Sequence, residues 1–598
     1  MNGSNRILTG RSPGHRPART EASTPVDAWP QAPEVRLESL HLTPVGHRPS
    51  AIGHGPWVLL AIVLLITGCA PAIPPTQPPQ TMPPATQPPV SPTQPPVTAE
   101  PVRGGTAILA FAESPNSLDA LLGYNLPAWQ GLMNLYRGLM IYDGDRAVPD
   151  MADGWPEISA DGLVYTFKIK PGLKFHNGRE VEAADFKYSL ERALDPHWAS
   201  WASPYLLRIK GAQEMLDGKA KAVSGIEAPD SHTLRLTLTE PDVTLLNLLA
   251  LPVTWVVPHE EVDRWGTEFG LHPVGAGPFL LQEFVPDERA ILVRNPDFFH
   301  EGQPYLDRVI MNFGLEPSTA LLRLENGELD ILFDDLIAAA NLPRLMADPR
   351  YRDRLYQEPT NYTWWLGLNN KMPPLDNRLV RQALNLAIDR EKIAALTEGK
   401  GVPLWGIYPS TLPGFDPDFK PYRYDPAAAK ARLGEAGFGR GLELELLIGQ
   451  EPLAVTLAQA IQQDLAQVGV KVTLKQMPGA TAHDLIAAGE GQIYLNSWYP
   501  VQPDPADLVN NLYMTDAANN LDFYSNPQVD ELARQALAEQ DREQRMSLYR
   551  QIEQILMDDA VHVPLIAGVS FYMHSPRIQG FYSRPEYGPL LERMWVQP

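Results

Sequence analysis

Residues 442–474 read LELELLIGQEPLAVTLAQAIQQDLAQVGVKVTL. Leu442–Ile448 is a strand pattern, Val455–Val468 an amphipathic helix, Gly469 its C-cap and Val470–Leu474 a returning strand. A strand–helix–strand of that length needs the crossover that joins parallel strands, so the stretch predicts an α/β domain. Working outward, Ile493–Asn496 is another short strand. Asn377–Ile388 is a helix with Leu379, Val380, Ala383, Leu384 and Ala387 inward.

The same alternation of signals runs back to Gly104. Thr106–Ala112 is a short apolar strand. Leu163–Ile169 sets Tyr165, Phe167 and Ile169 on one side, and Thr233–Thr239 repeats the pattern through Leu234, Leu236 and Leu238. Ala183–Leu194 is a helix with Phe186, Leu190, Ala193 and Leu194 on one face, ended by Asp195-Pro196. Arg289–Arg294 and Val309–Phe313 are further strands. A chain of 598 residues, 44% hydrophobic and 20% charged, has the material for two or three folded units.

The amino-terminal part reads differently. Trp57–Gly68 is the uncharged run WVLLAIVLLITG, ending at Cys69, the single cysteine. It is shorter than the roughly 20 residues a spanning helix needs and suits a signal-peptide core. Ile66-Thr67-Gly68-Cys69 resembles a bacterial lipobox, which implies a lipidated Cys69 and removal of 1–68. Residues 1–50 are polar, with Pro and Arg throughout, and predict a disordered leader or a true start near His41–Arg48. From Ala70 to Pro101 come 13 prolines and three copies of Thr-Gln-Pro-Pro. That composition favours an extended spacer, so 69–103 reads as lipidated cysteine plus linker. A lipid, a spacer and then a folded body is the layout of a protein tethered outside the cytoplasmic membrane.

Charge and motifs narrow the function. A net charge of −22 disfavours a nucleic-acid binder, which needs clustered Lys and Arg. One cysteine allows neither an intrachain disulfide nor a multi-cysteine metal site. No nucleophile elbow, P-loop or HExxH occurs; His259-Glu260-Glu261 has Asp263 where the second histidine belongs. Gly275-Ala276-Gly277-Pro278 lacks the third glycine of a dinucleotide fingerprint and reads as a tight turn. No catalytic residue, cofactor or metal site is expected.

Several stretches, in order, resemble the peptide-type (family 5) extracellular solute-binding proteins of ABC importers, which include oligopeptide, dipeptide and nickel receptors. They are Asp161–Lys168, Pro171–Gly178 with Ala184-Asp185-Phe186 and Ser189–Arg192, Gly275–Phe279, Arg294–Phe299, Gly327–Ile331, Asp376–Ala383, Ala387–Arg390 and Glu435–Phe438. Each is core or turn chemistry, so together they mark scaffold more than ligand contact.

The resemblance implies a bilobed periplasmic-binding-protein-like fold (type II, cluster C) with an additional third subdomain. Lobe I would comprise 104–136, 258–361 and 570–598, the additional subdomain 137–257, and lobe II 362–569. It implies a monomeric extracytoplasmic receptor that captures a peptide or other small molecule between lobes and delivers it to the permease subunits of an ABC transporter.

Two segments match the family's pocket-lining segments. The first is Tyr124-Asn125-Leu126. The second is Asn496–Pro505, in which Trp498 matches a pocket tryptophan, followed by Tyr499; Trp201 and Tyr205 are weaker candidates. In the family's peptide receptors a carboxylate three residues after that tryptophan pairs with the ligand's α-ammonium. Here that position is Val501, and Asp504 lies three further on. A buried ammonium needs a partner, so a ligand without a cation at Val501 is expected. An oligosaccharide receptor, an enzyme on the same scaffold and a receptor or adhesin with no importer stay open as other readings.

Overall fold

The structure, a computed structural model, describes residues 100–584 and 587–597. Cys69, the apolar run before it, the leader and the Pro-rich stretch as far as residue 99 lie outside the described residues.

One mixed sheet of eleven strands organises the body. The βαβ unit lies at one end: Leu442–Ile448 pairs in parallel with Val470–Gln476, with helix Pro452–Gln467 between them in the chain. Ile493–Trp498 follows, then the two longest strands, Leu355–Leu368 and Val563–His574. Beyond them lie Ile331–Leu332, Thr106–Ala110, Arg308–Asn312, Arg289–Arg294 and Phe279–Val285, and the eleventh strand, Gly401–Pro403, pairs with Val563–His574 off this path. The long pair carries the backbone from one half of the sheet to the other. Its antiparallel register breaks between Pro359 and Thr363, so the sheet bends where the halves meet. Gly568 stands at that break, where a Cβ would meet the Thr360 hydroxyl at 2.8 Å.

Each half of the sheet builds its own core. Leu366, Leu384, Leu446, Ile461 and Val470 belong to one cluster; Leu109, Val309 and Met311 belong to another, joined by Leu590, Met594 and Val596 from the far carboxyl end. A separate four-stranded sheet, Glu157–Ile158, Val164–Lys168, Thr233–Thr237 and Ile226–Asp230, stands beside helix Ala183–Leu194 as a third subdomain. The fold is bilobed α/β with this addition.

The stretches that carry the family resemblance meet one another as scaffold. His176 donates its backbone N–H to the Gly275 carbonyl at 2.8 Å and accepts the Gly275 N–H on Nδ1 at 3.2 Å. A Cβ on Gly275 would lie 2.1 Å from the Leu135 carbonyl oxygen, so the tight turn admits no side chain. Burial holds the His176 imidazole down at about 4, hence neutral. Asn377 caps helix Arg378–Ala387, and Arg381 donates to the carbonyls of Leu375 and Asp559 at 2.8 and 2.7 Å.

Candidate functional site

The bend in the long strands floors a cavity of about 560 Å³. Alternation along Leu355–Leu368 turns Tyr362 and Trp364 to the cavity and Trp365 to the core beneath. The partner strand runs through Trp498, with Ser497 opposite Trp364 and Trp498 opposite Thr363. Ser497 therefore shares the Trp364 face, while Trp498 shares the Trp365 face. Tyr362 donates its hydroxyl to Ser497 Oγ at 3.0 Å; its ring centroid is 5.9 Å from Trp364 and 6.2 Å from Tyr499. The result is an aromatic wall open to solvent, with Tyr499 44% exposed.

Three further elements complete the cavity. The turn after helix Arg390–Ala395 brings Thr397, Glu398 and Lys400; helix Pro452–Gln467 brings Leu453 and Thr456 from its first two turns; the segment after strand Ile331–Leu332 brings Asp334. Lys400 donates to the Asp334 carbonyl at 2.9 Å and lies 3.2 Å from its carboxylate. Asp334 also accepts the Phe571 N–H at 2.8 Å. Burial raises the Asp334 carboxyl above the ordinary range, and Lys400 opposes the rise.

The expected site residues scatter around this cavity. Tyr499 lines it. Trp498 does not: its indole lies on the far face of the sheet, against the cluster that contains Trp365, and donates from Nε1 to Asp507 at 3.0 Å. Burial pushes the Asp507 carboxyl up to about 7, although the Trp498 bond and the Gln502 N–H lower it. Val501 packs, half-buried, against the first-lobe core. Asp504 is buried; it caps helix Pro505–Leu512, pairs with Arg545 and accepts from Asn247 at 3.2 Å. It borders a second cavity of about 490 Å³, also lined by Asp145 and Arg542, which form an ion pair.

Tyr205 meets Trp201 edge-on at 6.3 Å and lines a third, smaller cavity with Gln502 and Asp507. Tyr124 is 68% exposed, and Leu126 is half-buried on the first-lobe core. Asn125 is an N-cap: its carbonyl accepts from Ala128 and Asn116, and its amide donates to Glu113 and Ser114. These three line none of the three cavities. Tyr362, Trp364, Glu398, Lys400 and Thr456 were not singled out from sequence. The signal for two of them was present in Tyr362-Thr363-Trp364-Trp365, whose alternation places one aromatic pair outward.

Among the described residues no group of His, Cys, Asp and Glu is placed to hold a metal ion, and no helix is long and apolar enough to cross a membrane.

Two lobes joined by paired strands, with an aromatic cavity at the join, define a binding protein that takes a small solute. Residues 146–520 match the family of bacterial extracellular solute-binding proteins, family 5, and the chain belongs to that family, the solute-binding receptors of ABC importers. Among its relatives, Di/tripeptide-binding protein 2 of Pseudomonas aeruginosa (strain UCBPP-PA14) is 29% identical over 475 residues, covering 75% of this chain and 87% of the relative. Glutathione-binding protein GsiB of Escherichia coli (strain K12) is 27% identical over 466 residues, 76% of this chain and 87% of the relative. Of solved structures, the unliganded open form of the periplasmic murein tripeptide binding protein MppA superposes with a TM-score of 0.73 at 26% identity, covering 83% of this chain and 98% of that one. DppA from Helicobacter pylori in complex with the peptide STSA gives 0.67 at 25% identity, covering 83% and 99%. These relatives are binding proteins rather than enzymes.

Proposed function

We propose that this receptor works as a monomer tethered through a lipid on Cys69, closes its lobes over a peptide-like or other small organic solute, and passes it unchanged to the permease subunits of its importer. The observation that carries the reading is the position of the aromatic cavity. It lies at the bend of the strands through which the backbone passes between lobes, so a solute on Tyr362, Trp364 and Tyr499 touches the element that must flex on closure. The division into lobe I (104–136, 258–361, 570–598), additional subdomain (137–257) and lobe II (362–569) belongs to the same proposal. Within it Tyr499 is a wall, Trp498 and Asp504 are positioning residues for the segment that carries it, and Tyr124, Asn125, Leu126 and Val501, which stand outside the cavity, come to the solute only on closure.

Native mass spectrometry of the purified protein tests this by the mass of a retained solute, and small-angle scattering by contraction when solute is added. Recovery of a chemically altered solute, with the change abolished by Tyr362→Ala, would replace the receptor with an enzyme. For the tether, Cys69→Ser should move the body to the soluble fraction, because stable anchoring needs more than one acyl chain. A mature amino terminus elsewhere than Cys69 refutes that part.

A further inference from the structure

We propose that the solute carries an organic cation, an ammonium or guanidinium group, held in the cavity at the bend by Glu398 and the faces of Tyr362 and Trp364. The inference rests on the receptor reading above and names its ligand class.

Among the described residues three charged side chains line the cavity: Asp334, Glu398 and Lys400. Lys400 and Asp334 answer one another at 3.2 Å, and the Phe571 N–H takes a further place on the carboxylate. Their charges cancel, so Lys400 is not available to a ligand anion without unpairing a half-buried carboxylate. Glu398 differs. Among the described residues its carboxylate accepts no hydrogen bond and joins no ion pair. Its backbone is held left-handed, φ +53°, between the bonds Glu398 N–H to Ala395 at 3.2 Å and Lys400 N–H to Thr397 at 3.0 Å. The cavity therefore presents one uncompensated negative charge.

The walls favour the same sign. Tyr362 and Trp364 stand edge to face at 77°, and aromatic faces carry negative potential that attracts a cation by about 0.5–2 kcal/mol in general. One opposing feature is helix Pro452–Gln467, whose first turn lines the cavity with the positive end of its dipole. Glu451 stands immediately before that turn. Burial raises the Tyr362 phenol, and the Glu451 charge adds to the rise, so a second carboxylate acts on the aromatic wall. An anionic solute would meet Glu398, with no unpaired cation lining the cavity among the described residues. The carboxylate that Val501 lacks is thus supplied from another element, the turn at Glu398.

The test is calorimetry on the full-length chain in detergent with two pairs of peptides that differ by one charge. One pair is N-acetyl-Ala-Arg-Ala-amide and its citrulline counterpart; the other is Ala-Ala-Ala-amide with its amine free and N-acetylated. The charged member of at least one pair should bind about tenfold or more tightly than its neutral partner, as a charge-assisted bond gives. The preference should weaken in high salt and vanish in Glu398→Gln, with part of it kept in Glu398→Asp. Equal binding within both pairs overturns the proposal, as does a preference that survives Glu398→Gln, or binding of none of the four. A neutral solute retained in native mass spectrometry would overturn the cation while leaving the receptor standing. No retained solute and no binding would bring down both.

Discussion

Asp504 and Glu398 each bring a carboxylate to a cavity, from two separate segments of the chain, and their surroundings are opposite. Asp504 is buried, caps a helix, faces Arg545 and takes a bond from the distant Asn247. Glu398 is exposed, sits on a turn and meets no donor among the described residues. The first carboxylate is part of how the protein holds its shape, and the second is left for something outside the chain. A charge is informative about a ligand only after its internal partners are known, and those partners are distant in sequence.

The widest gap between the two should appear on mutation. Asp504→Ala leaves the Arg545 guanidinium buried beside an empty place, a change that generally costs about 3–5 kcal/mol. It also removes a helix cap and the bond from Asn247. Urea unfolding should show that loss, and calorimetry should show weaker solute binding, partly through the unfolded fraction and partly through displacement of the segment that carries Tyr499. A stable Asp504→Ala protein with binding abolished would reverse the comparison and make Asp504 the ligand's anchor.

A buried carboxyl on the bending strand sharpens the contrast through pH. Burial pushes Glu358 from 4.5 up to about 7, and the Ser583 hydroxyl, donating at 2.7 Å, offsets only part of that. Because the folded value is the higher one, the native state favours the protonated form. The stability this confers is complete below pH 4.5 and is lost as pH rises to about 7. Wild type should lose up to about 3 kcal/mol across that window through this group, and Glu358→Gln should flatten the slope. Asp507 and Glu553, also raised to about 7 by burial, remain in both proteins, so the difference between the two slopes is the quantity to measure. Identical slopes would mean that Glu358 ionises freely.

The bend itself can be stiffened. A methyl at Gly568 would lie 2.8 Å from Thr360 Oγ1 and 3.2 Å from the Tyr362 Cβ. Gly568→Ala should therefore shift the aromatic floor and destabilise by about 1–3 kcal/mol, the usual range for overpacking. Solute affinity should fall by more than the stability loss explains, since Tyr362 is displaced. Unchanged affinity would detach the cavity floor from binding.

Much of this architecture was legible in sequence because its causes are local. Leu442–Ile448 and Ala183–Leu194 appear with the limits their periodicity gives, since a strand or helix face needs only neighbours two to four residues apart. Ile493–Asn496 was read two residues short: the strand continues through Ser497 and Trp498 because Trp364 and Thr363 pair with them, and those partners lie far back in the chain. The same distance hid the site. The cavity joins a strand near residue 362, a turn near 398, a helix near 453 and Asp334. Trp498 drew attention by its type, yet the face it occupies is set by pairing with the strand that carries Trp365. The match to the family places Asn125 in a pocket-lining segment, while its position before Pro127 at a helix start gives it the capping role seen in the structure.

The smallest expected effect bears most directly on the comparison. Glu398 makes no bond that folding needs, so Glu398→Gln should alter unfolding free energy by no more than about 0.5 kcal/mol, the range of surface substitutions away from special features. The left-handed backbone at φ +53° is kept, because Glu and Gln share the same Cβ and so the same local strain. Urea unfolding at one pH and ionic strength measures this, with Glu398→Gly as the companion. Glycine should stabilise slightly if relief of the positive φ outweighs the entropy it adds to the unfolded chain. A loss beyond 1 kcal/mol in Glu398→Gln would mean that the carboxylate has a partner inside the protein. Glu398 would then stand beside Asp504 as a structural charge, and its selection of a cationic solute would have to be carried by the aromatic wall alone.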